Sequence, residues 1–348
     1  MILNSSFEND SYYEYNDILI PMCETDDYKE ITAVCYATIF CLSILGNGLL
    51  LCALTCYEDL KRATNLFMFC LSLFDLLFTL TLPFWCVELL NHWVFGDIAC
   101  KVMTGSYFVG IYGSLILLTA MTLDRFIVVV VRSDWLTRGR RLICSRAACA
   151  GAWIISLLAC LRDSMASKAE NEHIDTYTCK STPTDDDNVG YYTQFILLFL
   201  VPFVVIVFCY TKILLTLMSM STRQKYRTVI LVLCIVIAFF VCWGPYHIVI
   251  VLLSIYDPCE HYQLHGAFVF CRILAFSHCC MNPAMYFLRG KFRRLVSSLL
   301  FCSPELRHSG RYRGGTDPSD SRIHPYMTER VLENGGVGQT NATELNSM

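Results

Sequence analysis

Charge is what this sequence has least of. Asp, Glu, Lys and Arg make up 16% of its 348 residues, where a soluble domain carries about 25%. The AVILMFWYC set makes up 55%, so most of the chain is expected to face something other than water. The net charge of -3 says little by itself; where the charges sit says more. Residues 1–28 contain no Lys or Arg. The opening MILNSSFEND has neither the basic region nor the apolar run of a cleavable signal peptide, so the first long apolar run is expected to serve as the insertion signal. No nucleophile, base and orienting group come together in the pattern, which argues against an enzyme. Nothing points to a nucleic-acid partner. The inverted repeats and matched broken helices of a secondary transporter are missing too, which disfavours a small transporter with an ion site at Asp75.

Long apolar runs are abundant. Spanning roughly 30 Å of hydrocarbon takes about 20 residues. Seven runs qualify, near 30–56, 66–90, 101–131, 144–165, 191–219, 228–255 and 266–288. The basic turn STRQKYR separates the fifth from the sixth. Cations gather in alternate connections: Lys61 and Arg62, then Arg132, Arg138, Arg140 and Arg141, then Arg223, Lys225 and Arg227, then Arg289, Lys291, Arg293 and Arg294. The positive-inside rule puts these connections in the cytoplasm and the N-terminus outside. An odd number of spans agrees. The expected fold class is an all-α membrane protein, a seven-transmembrane helix bundle at the plasma membrane.

The chain has 20 cysteines, yet most fall inside the runs, where a cysteine acts as a small apolar residue. Cys23, Cys100, Cys179 and Cys259 fall outside, on the oxidising side where disulfides form. Four cysteines allow three pairings.

Polar residues within the runs are costly and turn toward protein or water. Asn47 lies in the first run, Asp75 in the second, Ser114 in the third, and His278 and Asn282 in the seventh. Asn47, Asp75, Ser114 and Asn282 suggest one shared polar core. A carboxylate among neutral oxygens suits a hard cation, so the core is expected to hold Na⁺, with Asp75 as its charged ligand. No other cofactor is expected. Pro83, Pro202, Pro245 and Pro283 each remove a backbone hydrogen bond and kink a helix. Kinks beside a buried polar cluster supply two packings of similar energy, which a switch needs.

In order along the chain run GN in the first run, LSLFD in the second, Cys100 at the top and DRF at the foot of the third, Trp153 in the fourth, Pro202 with Tyr210 in the fifth, CWGP in the sixth and NPAMY in the seventh. From about 30 to 302 the chain resembles a rhodopsin-like G-protein-coupled receptor. The resemblance implies a ligand-driven two-state bundle. Asp124, Arg125, Tyr210, Trp243, Pro245, Asn282, Pro283 and Tyr286 would form its activation switch. Arg125 would pair with Asp124 at rest. The foot of the sixth run offers Lys225 and Arg227 but no acid, so no ionic lock across to it is expected. GKFRRLVSSLLFC resembles the short amphipathic helix 8 on the inner leaflet, with Cys302 as its palmitoylation site. The implied divisions are an acidic tail over 1–28, the bundle over 29–288, helix 8 over 289–302 and a cytoplasmic tail over 303–348. Implied partners are a heterotrimeric G protein of the Gi class, arrestin and membrane lipid.

Narrower features resemble the chemokine receptors: TLPFW, HWVFG, SHCCMNP and a short basic third inner loop. That resemblance implies two disulfides, Cys100 with Cys179 and Cys23 with Cys259, and a chemokine as ligand. The outer surface fits a basic ligand, since acidic surfaces speed association with basic partners. The tail carries Glu8, Asp10, Glu14, Asp17, Glu24, Asp26 and Asp27, and the second outer loop adds the acids of TDDD. Tyr12, Tyr13 and Tyr15 sit among the acids as sulfation candidates, and Asn4 and Asn9 begin outer glycosylation sequons. The segment CRILAFSHCC resembles the XC-type receptor for lymphotactin; a CC-type or virus-encoded receptor is the neighbouring alternative. Many CC-type receptors carry Glu where this chain has Arg272. Arg272 is expected to face a cavity lined by Trp85, Tyr107 and Tyr246. Its alternative role is a structural pair with Glu88 or Glu260. The family commonly reads DRYLAIV where this chain reads DRFIVVV, a departure that keeps a scavenger receptor open as a second reading.

Overall fold

The computed structural model describes residues 14–15, 18–19, 28–131, 137–173, 176–181, 195–218, 223–253 and 262–287. Tyr12, Tyr13, Asn4, Asn9, Cys23, Cys259, Cys302 and the whole of 289–348 lie outside them. Among the described residues, seven helices are long and apolar enough to cross a membrane: Lys29–Tyr57, Ala63–Leu90, Gly96–Val131, Gly139–Ala166, Val201–Met218, Val229–Leu253 and Leu264–Tyr286. Each falls on one of the seven apolar runs. Lipid offers no hydrogen bonds, so a spanning segment must satisfy its backbone internally, which a helix does. Side chains then sort by chemistry. Leu42 and Leu45 of the first span, Ile154 and Leu158 of the fourth and Val241 and Ile248 of the sixth lie on the outside of the bundle. Asn47, Asp75, Ser114 and Asn282 are buried within it.

The third span is the hub, packing against the second, fourth, fifth and sixth. Glycine sets how close the second comes. A Cβ on Gly110 would lie 2.6 Å from Phe78 Cβ, and one on Gly113 would overlap the Phe74 ring. The other side of Phe74 stacks on Trp153 of the fourth span, ring centroids 4.1 Å apart. Gly46 does the same for the seventh span: a Cβ there would come 2.8 Å from Pro283 Cγ.

Several spans are interrupted at physically intelligible places. The second runs as Ala63–Thr79 and then Leu82–Leu90, with Pro83 in the first turn of the second piece, where its missing N–H costs nothing. The fifth opens as a π-helix, Phe195–Leu200, and becomes α-helical at Val201–Met218. Pro202 follows immediately, and its missing N–H leaves a gap in the ordinary ladder. The seventh breaks at Ser277, between Tyr262–Phe276 and His278–Phe287. The third ends in a π-helical turn, Ile127–Val131. One expectation is corrected. The basic segment after the fifth span is not all turn, because the sixth helix begins at Arg223. Gln, Lys, Tyr and Arg are adequate helix formers, and there the helix extends beyond the apolar run.

Gly110→Val should lower the thermal stability of the purified receptor by about 1–3 kcal/mol, the usual cost of overpacking. Gly151, whose added Cβ would meet nothing within 4 Å, should accept Ala with no loss. Melting temperatures of the two variants in the same detergent check the contrast.

Candidate functional site

At the outer face, strands Ser167–His173 and Thr176–Ser181 form an antiparallel hairpin with Ala169 opposite Cys179. Four ties hold it over the second and third spans. The disulfide joins Cys179 to Cys100, Cα atoms 5.5 Å apart. The Cys179 N–H donates to Glu88 Oε1 at 2.6 Å. The Trp93 N–H donates to the Tyr177 carbonyl at 2.6 Å. The Ala169 N–H donates to Asp97 Oδ1 at 3.2 Å. HWVFG is thus a structural device. Trp93 is buried, packs on Trp85 at 5.7 Å and donates its indole N–H to the Gly96 carbonyl at 2.9 Å. Gly96 has φ +78°, the left-handed region that suits glycine.

Arg272 lies buried in the outer half of the seventh span. Its guanidinium carbon sits 5.3 Å from the Phe268 ring centroid and 5.9 Å from that of Tyr36, within cation–π range. Tyr246 reaches the same group through Phe268, centroids 5.9 Å apart. Tyr107 reaches it through Phe276, which stacks on Tyr36. Tyr246 is thus linked to Arg272 through one ring and Tyr107 through two. Trp85 is committed to Trp93. Phe268, Tyr36 and Phe276 complete the group and were not foreseen.

About two to three turns deeper is the polar core. Asp75, fully buried, accepts from Asn282 Nδ2 at 2.6 Å and from Ser114 Oγ at 3.3 Å. The expected cluster is therefore present on three helices. Asn47 turns aside: its Nδ2 donates to the Cys279 carbonyl at 2.9 Å and to Ser43 Oγ at 3.1 Å, and its buried Oδ1 has no hydrogen-bond partner among the described residues. His278 joins instead. Its Nδ1 lies 2.8 Å from the Ala275 carbonyl, which can only accept, so Nδ1 carries the proton. Its Nε2 faces Asp75 Oδ1 at 4.0 Å. The His278 ring also meets Trp243 at 5.4 Å and Phe239 at 5.7 Å. It thereby links the polar core to the sixth span just below Pro245. Tyr210 and Tyr286 are buried lower in the bundle.

At the inner end the expected pair of Arg125 with Asp124 is present, but Asp124 has a closer partner. Asp124 accepts from Arg141, Nε to Oδ1 and Nη2 to Oδ2, both at 2.6 Å. Arg125 Nη2 is 3.6 Å from Asp124 Oδ2 and donates to the Thr64 hydroxyl of the second span. The neighbour pair is thus the longer contact. A side chain one residue on along a helix points about 100° away. Arg141, entering from the fourth span, meets both carboxylate oxygens with its planar fork.

The family model for the 7 transmembrane receptor (rhodopsin family) matches residues 46–286. Chemokine XC receptor 1 of Homo sapiens is 34% identical over 300 residues, 82% of this chain and 87% of that protein. Chemokine XC receptor 1 of Mus musculus is 36% identical over 297 residues, 83% and 89% respectively. C-C chemokine receptor type 8 of Homo sapiens is 32% identical over 317 residues, 86% and 88%. The chain belongs to the chemokine receptors of the rhodopsin family. As such it is a multi-pass protein of the plasma membrane and a signalling receptor rather than an enzyme.

In this chemokine receptor Glu88 holds the hairpin through the Cys179 amide, a bond that the sequence did not signal. Its backbone-amide bond seats the base of the hairpin beside the mouth, so Glu88→Ala should cost about 1–3 kcal/mol by leaving the Cys179 N–H unsatisfied. Glu88→Gln, which keeps an acceptor, should lose less. Melting temperature, together with hydrogen exchange over 176–181, measures both.

Proposed function

We propose that this chemokine receptor is of the XC type, taking a basic, lymphotactin-like chemokine outside and activating a Gi-class G protein inside. The observation that carries the ligand reading is the buried, aromatic-flanked guanidinium of Arg272 in the outer half of the bundle. A planar guanidinium there suits a carboxylate or backbone carbonyls on an inserted chemokine N-terminus. The resemblance of CRILAFSHCC and the two XC relatives support the same subtype. The acidic tail makes the first electrostatic contact, strengthened by sulfation of Tyr12, Tyr13 and Tyr15. Asn4 and Asn9 carry glycans, and Cys23 pairs with Cys259. The position of Tyr28 favours that pairing, because its ring lies 6.0 Å from His265 at the outer end of the seventh span. Inside, helix 8 lies on lipid with Cys302 acylated, and arrestin follows the G protein at the same face. Uptake without coupling is the second reading, favoured by the DRFIVVV departure, which folds as the π-helical turn Ile127–Val131. Purified chemokines applied to expressing cells, with cAMP inhibition and uptake read together, separate the two: uptake with no cAMP response to any bound chemokine establishes the scavenger.

Na⁺ fits the polar core in the resting state. Asp75 supplies the charge, and Ser114, Asn282 and the spare Oδ1 of Asn47 supply neutral oxygen. Bound there, the ion would balance a carboxylate that no lysine or arginine meets among the described residues.

Two outcomes follow. Arg272→Glu should reach the surface and hold the chemokine to within severalfold of wild type, yet lose activation by at least about tenfold in potency, roughly 1.4 kcal/mol. Arg272→Lys should also lose potency, since a point charge does not reproduce the fork. Wild-type potency in Arg272→Glu would remove the support for the XC assignment. Asp75→Asn should abolish the effect of NaCl, measured against choline chloride, on agonist affinity.

A further inference from the structure

The double hydrogen bond from Arg141 to Asp124 gives the fourth span a grip on the activation motif at the foot of the third. A carboxylate presents two oxygens, and a guanidinium that meets both with Nε and Nη2 uses its best acceptor directions. Both distances are 2.6 Å. The 3.6 Å between Arg125 and Oδ2 is beyond hydrogen-bond length. Arg125 Nη2 donates to a neutral hydroxyl, that of Thr64. Arg141 is itself well anchored. Its N–H donates to the Thr137 carbonyl at 2.9 Å, and its carbonyl accepts from Ser145 Oγ at 2.8 Å.

We propose that Arg141 is a positioning residue for activation: by occupying Asp124 from the fourth span it loosens the hold of that carboxylate on Arg125 and leaves Arg125 ready to move. Asp124 is largely buried, with 8% of its side chain exposed, and a buried carboxylate is costly without a cation. Among the described residues, Arg141 and Arg125 are the cations in salt-bridge range of it. Without Arg141, the carboxylate turns to Arg125 and binds it more tightly. A purely structural role for Arg141, tying the third span to the fourth, has the opposite sign, because its loss would loosen the foot of the third span and expose Arg125. The inference rests on the reading of Arg125 as the G-protein contact, and its test keeps the two apart.

Full-length receptor is purified into nanodiscs as wild type, R141Q, R141K, D124N and the D124N/R141Q double variant. Two quantities are measured without chemokine. One is the rate at which phenylglyoxal, an arginine-selective reagent, modifies Arg125, followed by peptide mass spectrometry. The other is nucleotide exchange on purified heterotrimeric G proteins of each class. R141Q should slow Arg125 modification about threefold, the population change that one partly screened ion pair supports, and reduce exchange in parallel. R141K should recover at least half of each loss. The double variant should match D124N, because Arg141 has no role once the carboxylate is gone. Unchanged or faster modification of Arg125 in R141Q overturns the proposal, as does a double variant that still shows the R141Q defect. If R141Q is not recovered folded, D124N decides: it should alter Arg125 modification by less than about twofold where Arg141 already holds the carboxylate, and a larger change overturns the proposal. If no variant drives exchange on any G protein, the coupling reading fails, while the modification rates still decide the role of Arg141.

Discussion

Hydrocarbon cannot solvate a polar group, and this constraint organises the molecule from end to end. It makes every span a helix, since only a helix satisfies its own backbone within one segment. It also turns the intramembrane polar residues toward one another. Asp75 is the extreme case, fully buried and surrounded by Asn282, Ser114 and His278 from two other spans. One carboxylate thereby fixes the mutual rotation of the second, third and seventh spans. The glycines then let them approach: Gly110 and Gly113 admit Phe78 and Phe74, and Gly46 admits Pro283. Between helices in lipid, close packing and hydrogen bonds take the place of the hydrophobic drive. The small residues and the polar cluster are two halves of one solution.

The same constraint explains what was legible in the sequence. Seven runs of about 20 apolar residues, and cations in alternate loops, are consequences of bilayer thickness and membrane insertion. They can be read without knowing any contact. The polar core was legible because Asn47, Asp75, Ser114 and Asn282 have no other place to go. Partners were harder, because a contact between spans depends on rotation and register that a linear pattern does not encode. Asn47 could be placed in the core, but not its turn toward Cys279 and Ser43. His278 was visible as a polar residue, but its bridge between Asp75 and Trp243 was not. Arg141 looked like one more cation of the positive-inside pattern. Only the packing of the fourth span on the third makes it the partner of Asp124.

Glu88 shows the limit differently. An acid at the outer end of the second span suggests an ion pair, and Arg272 invites that expectation. Glu88 accepts the amide of Cys179, a bond to backbone that no charge pattern signals. Trp93 is similar: an aromatic in an outer loop suggests ligand contact, yet it is buried against Trp85 and tied to Gly96. In both cases the chain uses a conspicuous side chain to hold the outer hairpin in place.

The arrangement of aromatic rings then bears on how the two faces communicate. From Arg272, contacts run through Tyr36 to Phe276, which meets Phe78 and Tyr107. Phe78 meets His278, which touches Trp243 and faces Asp75. The ring-to-ring steps are stacked or edge-to-face contacts in a tightly packed interior, and such interiors rearrange between discrete packings rather than deform smoothly. A chain of contacts is not by itself a chain of energy transfer. What makes transmission physical here is that the column crosses the seventh span at its break, Ser277, and the sixth beside Pro245. Pro245 leaves one rung of the sixth helix unmade, and at Ser277 the seventh passes through a turn between its two helical pieces, so these are the places where the regular ladder resists a bend least.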